Sequence, residues 1–455
     1  MQTSVFVRLF VPLLFSIVAS VGGIGQTWSR LDGTSLYVHR IKVFTSPAIL
    51  VACGDLAPPL NEMQNASMEF YSGEGFRTST DGGVTWSERR LDGFSVRDII
   101  RLPRQPQYWI ASVVKPFTNT GGIVRSTDGG ITWSSVPEND ALRVEQFLSR
   151  DYAPPLILSA QVNTTSGFQI SRDSAQSFTA PSNEPVQSRS IAISEADTSL
   201  VFMAGDGRGL PGVFVTRNNG ETWTRDSLGL GGKRILCVAP SRHFSNVVYC
   251  GADSVNGQDS YGAGVFKSLD TGKTWFRLPG TQGLRVWSIV EHPLWGDVLI
   301  AAADSAGVIV TGSWGDGWEQ RNDGLPSDRI VRTIELTEGP HPRGTIAAYV
   351  GTYGNGVYRS RGITTTIDVA AARGSLEVQP QPMVGTGYIR VPFQTNEFAE
   401  IIDVNGVLVM QIQPMSVTET GTTWAVNTSA TTSGVYLLRI VSKEGTIVAP
   451  FVVAR

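Results

Sequence analysis

STDGGVTW at residues 79–86 returns as STDGGITW at 126–133, and the same frame recurs in SRDSAQSF (171–178), TRNNGETW (216–223) and SLDTGKTW (268–275). TGSWGDGW (311–318) is a degenerate sixth copy. The lead positions Asp81, Asp128, Asp173, Asn218, Asp270 and Ser313 stand 43 to 52 residues apart. A period of that length holds about four short strands, the content of one propeller blade.

Each copy reads as a hairpin between the third and the outermost strand of a blade. Its carboxylate can accept backbone N–H bonds inside the turn, and the glycine that follows supplies the positive φ the turn demands. The closing aromatics, Trp86, Trp133, Phe178, Trp223, Trp275 and Trp318, bury against the neighbouring sheet. One such side chain contributes roughly 2–3 kcal/mol through burial. These residues are staples rather than catalysts.

The rest of the composition agrees with an all-β chain. Forty-nine Gly, 24 Pro and 11 Trp, with few runs of helix formers, describe short strands joined by tight turns. The 37 Lys and Arg against 40 Asp and Glu leave a formal charge of −3, too near neutral for an overall field that attracts nucleic acid or anionic lipid. Any charge-based function is therefore local. Cys53, Cys237 and Cys250 are too few for a disulfide framework; Cys237 and Cys250 can face each other across a hairpin, or remain buried thiols. The four histidines, His39, His243, His292 and His341, show no metal-ligand spacing, and no glycine loop opens a helix as a phosphate cradle would, so no metal or cofactor is expected.

The repeated frame resembles the Asp-box, or bacterial neuraminidase repeat, found in sialidases, sortilin-type receptors, xyloglucanases and photosystem II assembly factors. The resemblance covers residues 26–362 and implies a β-propeller; it says little of chemistry, because those relatives use one scaffold for different tasks. After the sixth copy a further unit runs through RTIEL, TIAAYVGTY and GVYRSRG, where GVYRS (356–360) parallels GVFKS (264–268). QTWSRLDG at 26–33 mirrors TWSERRLDG at 85–93, so Trp28 is expected to complete that last unit. Seven blades result, closed by the N-terminal strand, which removes open sheet edges.

Function is expected on the face opposite the repeated hairpins. Counting 10 or 11 residues from each motif aromatic to the start of the next inner strand selects Arg97, Arg143, Arg189, Arg234, Arg285 and Arg329, and from Trp28 it selects His39. These side chains form a predicted ring at the channel mouth, a ligand site for an anion or a carbohydrate. Asp55, Asp206, Asp253 and Asp304, on loops of the same face, are the candidate catalytic carboxylates and equally the candidate partners of the arginines, since a ring of guanidiniums alone would repel itself. Two long loops, 55–74 and 253–263, add polar and aromatic residues to that face.

From Ile363 to Gly374 the repeat gives way to a Thr- and Ala-rich linker, and residues 375–455 alternate strands and turns in the manner of a small β-sandwich. Asn405–Gly406 marks a hairpin there. The QPQPMVGTG turn with Pro380 and Pro382, IIDVNGVLV and SGVYLLRI resemble the C-terminal sorting domain of the type IX secretion system; QPQP stands where that family has Pro-Asn-Pro, and the chain ends on Arg455. The resemblance implies contact with the secretion machinery and a secreted or outer-cell-surface location.

Three functions follow from these readings: a non-catalytic binding module for an extracellular glycan or protein, a glycoside hydrolase of sialidase or xyloglucanase type, or a scaffold like the photosystem assembly factors. A hydrolase needs two carboxylates about 5–9.5 Å apart. A sialidase signature is echoed only by His39, Arg40, Ile41 and Lys42, without its proline, and the cleft between two propellers that xyloglucanases use has no room in one. Arg8 followed by the apolar run Leu9–Val21 reads as a signal peptide over residues 1–25, too short to span a membrane, and no later apolar stretch is long enough. N-terminal sequencing of the exported protein is expected to reveal a cut between Ala19 and Gln26, and an intact Met1 would overturn this.

Overall fold

The computed structural model describes residues 28–453 except 36, 46–47, 56–72, 116–120, 137–142, 151–154, 163–166, 181–186, 208–209, 255–261, 294–295, 313, 339–345, 364–376, 380–384, 392–398, 404–407, 419–420, 430, 432–433 and 443–444. The expected signal segment, most of the linker, Ser313, both long loops and the turns at Pro380, Pro382 and Asn405–Gly406 thus lie outside the described residues, as does Arg455. Every described element is a strand.

Residues 28–363 form successive antiparallel meanders of three or four strands. Their first strands are Tyr37–Thr45, Ser95–Leu102, Arg143–Arg150, Gln187–Ile193, Arg234–Pro240, Val286–Glu291 and Val331–Glu338. The first two meanders join through one parallel pair, Gly75 with Ser95. Each first strand touches that of the next meander, and Val331–Glu338 touches Tyr37–Thr45. Trp28–Leu31 lies antiparallel to Val357–Ile363, with Trp28 opposite Ser360.

The repeated motif explains how each outer hairpin holds its shape. Ser79 Oγ donates to Asp81 Oδ1 at 2.7 Å and accepts from Gly83 N–H at 2.7 Å, while Asp81 accepts from the Thr85 N–H and hydroxyl at 2.9 and 2.5 Å. Ser126–Asp128–Thr132, Ser171–Asp173–Ser177 and Ser268–Asp270–Thr274 repeat the arrangement, and Thr216–Asn218–Thr222 does so with one reversal, Asn218 Nδ2 donating to the Thr222 hydroxyl at 2.9 Å. Hydrogen bonds from Thr85 are the main reason the Asp81 carboxyl stays far below the usual range. Two consecutive residues take left-handed φ, 72° and 90° at Gly82–Gly83, and Ser174–Ala175 does the same at 59° and 63°. The glycine is therefore favoured rather than obligatory.

The motif aromatic fills the seam between its own meander and the preceding one. Trp275 sits with Phe202, Val215, Val238 and Cys250, and Trp223 with Leu158, Phe168 and Met203. Trp86, Trp133, Phe178 and Trp318 pack at equivalent seams, and Trp28 occupies the one between the last two meanders. The last meander and the first share a core of Val38, Ile41, Leu50, Ala52, Ala347, Tyr349 and Val357. Cys53, Cys237 and Cys250 are free and buried; burial pushes the Cys237 thiol up to about 12.

Beyond residue 376 two four-stranded antiparallel sheets share one core, with Ile389, Trp424 and Val426 from one and Ala399, Ile401, Tyr436 and Leu438 from the other. Replacing Trp275 by Ala is expected to cost about 3–5 kcal/mol of stability in urea denaturation, since the side chain is 5% exposed and its seam cannot collapse. A loss below about 1 kcal/mol would contradict the stapling role.

Candidate ligand-binding site

The seven first strands share one irregularity. Pairing to the second strand skips a residue between Val38 and Arg40, Val96 and Asp98, Val144 and Gln146, and Ser188 and Ser190. The same happens between Ile235 and Cys237, Val286 and Ser288, and Val331 and Thr333. A β-bulge of this kind bends the strand and re-aims the extra side chain. The bulged residues are His39, Arg97, Glu145, Arg189, Leu236, Trp287 and Arg332. All but Leu236 line one cavity of about 190 Å³, joined by Val38, Arg40, Arg143 and Tyr353.

The residue after the bulge fastens one meander to the next. Asp98 Oδ2 accepts from the Phe147 N–H at 2.7 Å, Gln146 Oε1 from the Ile191 N–H at 3.0 Å, and Ser190 Oγ from the Val238 N–H at 3.4 Å. The bulge thus separates two tasks, one side chain for the cavity and one for the seam.

Charge around the cavity is unevenly matched. On one side a ladder runs Arg234–Asp253–Arg285–Asp304–Arg332, with N···O distances of 2.7, 3.2, 3.8 and 3.0 Å. Arg332 also lies 4.1 Å from the Trp287 ring centre and 4.5 Å from that of Tyr353. On the other side Arg40 and Lys42 approach the buried Asp98 at 3.6 and 3.7 Å. Arg143 Nε donates to Glu145 Oε1 at 2.7 Å. Burial alone would raise the Glu145 pKa, but Arg143, Arg97 and Arg189 bring it down to about 2, so it is ionised. Arg189 has no hydrogen bond or ion pair with any described residue; burial, and then repulsion from Arg234 and Arg143, lower its pKa against the pull of Glu145.

His39 sits inside a directed chain. Burial first, then the Arg97 charge, hold its pKa below the ordinary value. Asp55 is pushed up by burial but brought below its ordinary value overall by His39, Arg97 and Ser95. A neutral imidazole beside an ionised carboxylate assigns the proton to Nε2, which donates to Asp55 Oδ2 at 2.6 Å. Nδ1 then accepts from Arg97 Nη1 at 3.3 Å.

Of the residues expected to ring the mouth, His39, Arg97 and Arg189 are bulge residues, and Arg143 reaches the cavity from the start of its strand. Arg234 and Arg285 stand at the mouth within the ion-pair ladder and do not line the cavity. Arg329 requires correction: it is an exposed turn residue at φ 50°, donating to Gln320 Oε1 at 3.0 Å. The connection after Trp318 holds an extra turn, Arg329 N–H to Pro326 O, so Arg332 takes the position a fixed offset assigned to Arg329. Among the candidate carboxylates, Asp55, Asp253 and Asp304 are each tied to His39 or arginines. Asp206 pairs through its backbone with Gln187, and its side chain lies outside the described residues. Counting from the aromatics, which placed Arg40 beside His39, misses Glu145, Trp287, Arg332 and Tyr353. A signal for the bulges does exist, in pairs such as Val96 and Ile99 or Val331 and Ile334: both are buried, yet three residues apart they would face opposite sides of an unbroken strand.

Residues 377–454 match the family model described as the secretion system C-terminal sorting domain. This segment is a type IX sorting domain. The protein is secreted or held at the outer cell surface. In structure the chain is similar to PorZ, a surface component of the type IX secretion system of Porphyromonas gingivalis, at 15% identity and TM-score 0.51, covering 92% of this chain and 60% of PorZ. It is similar to an ancestral GH74 enzyme at 13% identity and TM-score 0.54, covering 94% and 63%, and to YCF48 from Cyanidioschyzon merolae at 14% and 0.51, covering 74% and 98%. The chain spans less than two thirds of the first two structures. At such identities the likeness is one of fold, β-propeller-like. No curated protein matches the chain in sequence.

His39 makes the site sensitive to acid. Its folded pKa lies below that of the unfolded chain, so as pH drops through about 6.5 the unfolded state takes up a proton the folded state resists, and stability falls. Nitrogen-detected NMR at pH 6.5 is expected to show a neutral His39 protonated on Nε2; an imidazolium at that pH would contradict the chain of donors.

Proposed function

We propose that the protein is a secreted or cell-surface binding and scaffold protein without catalytic activity. In this reading a seven-bladed Asp-box propeller, closed by the N-terminal strand, recognises a glycan or a protein with the face opposite the repeated hairpins. Residues 375–455 take it through the type IX machinery. The observation that carries the reading is the row of bulges, which turns a side chain from six of the seven first strands towards a cation-rich mouth. Bulges are over-represented beside functional sites, where they direct a side chain out of the pairing plane.

A hydrolase reading finds less support. A glycosidase keeps one carboxyl protonated near neutral pH to donate to the leaving oxygen. Glu145, which lines the cavity, is held ionised by three arginines, and Asp55 stays below its ordinary range. Asp253 is 2.7 Å from Arg234 and 3.2 Å from Arg285. Glu335, pushed up by burial, does not line the cavity. Export beyond the outer membrane speaks against a photosystem-type scaffold.

The test is a screen of the purified protein on a glycan array, with hydrolysis assays on the same polysaccharides. Binding without turnover is expected, weakened at least tenfold by Arg97→Ala. Turnover that Asp253→Asn abolishes would overturn the reading.

A further inference from the structure

The geometry points to an acidic sugar, a hydroxylated ring bearing one carboxylate, as the group this cavity takes. The inference rests on the binding reading above and names the chemistry of its ligand. Arg189 is the first reason. It projects into the cavity from a bulge, it is partly buried, and among the described residues nothing bonds to its guanidinium. A guanidinium held there near Arg143, in a cavity that Arg97 also lines, offers a planar fork of donors, the geometry that carboxylates fit bidentately.

Glu145 is the second reason. Its carboxylate is ionised and faces the same space, so it favours a ligand that brings donors next to its negative group. A hydroxylated ring meets that need. A dianionic phosphate would add like-charge repulsion without supplying a donor. Trp287 and Tyr353 add an aromatic wall to this largely charged lining, a surface on which a sugar ring can pack.

The experiment is calorimetry on the purified protein with an oligogalacturonate, its methyl ester, a neutral oligosaccharide, a sulfated oligosaccharide, and a peptide with a free or amidated C-terminus. We expect binding to the oligogalacturonate that the methyl ester loses, that weakens with added salt, and that falls at least tenfold in Arg189→Ala with partial recovery in Arg189→Lys. Glu145→Gln is expected to narrow the preference for the oligogalacturonate over the sulfated sugar. Melting curves of the variants separate loss of binding from loss of fold. Equal binding of ester and acid, or of wild type and a folded Arg189→Ala, overturns the inference. Capture of the free-acid peptide in place of the sugar overturns the sugar assignment. If neutral glycans on the array still bind, the binding reading survives alone; silence towards every ligand removes both.

Discussion

Among the described residues, no meander of this propeller-like domain has a core of its own. Every cluster of buried side chains is shared by two successive meanders, so each sheet is stable only with a neighbour on both faces. The cluster shared by the last and first meanders follows from that constraint, as does the use of Trp28 far from its partners in sequence. Cations reinforce the seams on the hairpin side. Arg359 Nη1 donates to Gly82 O at 3.3 Å, Arg90 Nη1 to Gly129 O at 2.9 Å, and Lys267 Nζ to Trp314 O at 3.3 Å. Burial lowers the Lys267 pKa to about 8, a cost opposed by the rings of Tyr249 and Trp314 at 5.6 and 5.2 Å.

The first strands carry the harder geometric problem. Each must bury apolar side chains against both neighbours, and six of the seven also turn one side chain to the mouth, which strict alternation cannot do at this position. The bulge resolves this by resetting the alternation once. Val96 and Ile99 both face inward at 0% exposure while Arg97 between them reaches the cavity. The residue after the bulge then bonds to the next strand, so the cavity wall is held by the same contacts that hold the seams. Side chains supported in this way lose little entropy on binding, which favours recognition of a small rigid group.

Much of this was legible in the sequence because the stapling residues must recur at fixed places in each hairpin. The Ser–Asp–Thr turn and its aromatic are local, and their period followed directly from positions such as Asp81, Asp128 and Asp173. The mouth was less legible because the outer connection varies. The bulge falls 11 residues after Trp86, Phe178 and Trp28 but 14 after Trp318, so a constant offset found Arg97, Arg189 and His39 and missed Arg332. Glu145 was hidden for a related reason: Arg143, two residues earlier, fits the offset and draws the eye to charge of the opposite sign. The sorting segment was legible for a third reason, since its strand-turn-strand patterns are contiguous in sequence.

The two halves of the mouth differ in how they settle their charge. From Arg234 to Arg332 each carboxylate touches two arginines, and the mutual repulsion of the cations is offset locally. Between Arg97 and Arg189 the only described carboxylate lining the cavity is Glu145, which has three arginines around it. Keeping Arg189 partly desolvated beside Arg143 costs stability. Burial penalties and like-charge pairs of this sort gather where a protein binds or reacts. In the proposed reading, an anion beside Arg143 and Arg189 offsets the like-charge repulsion between them, so part of its binding free energy comes from relief of a cost the folded protein carries.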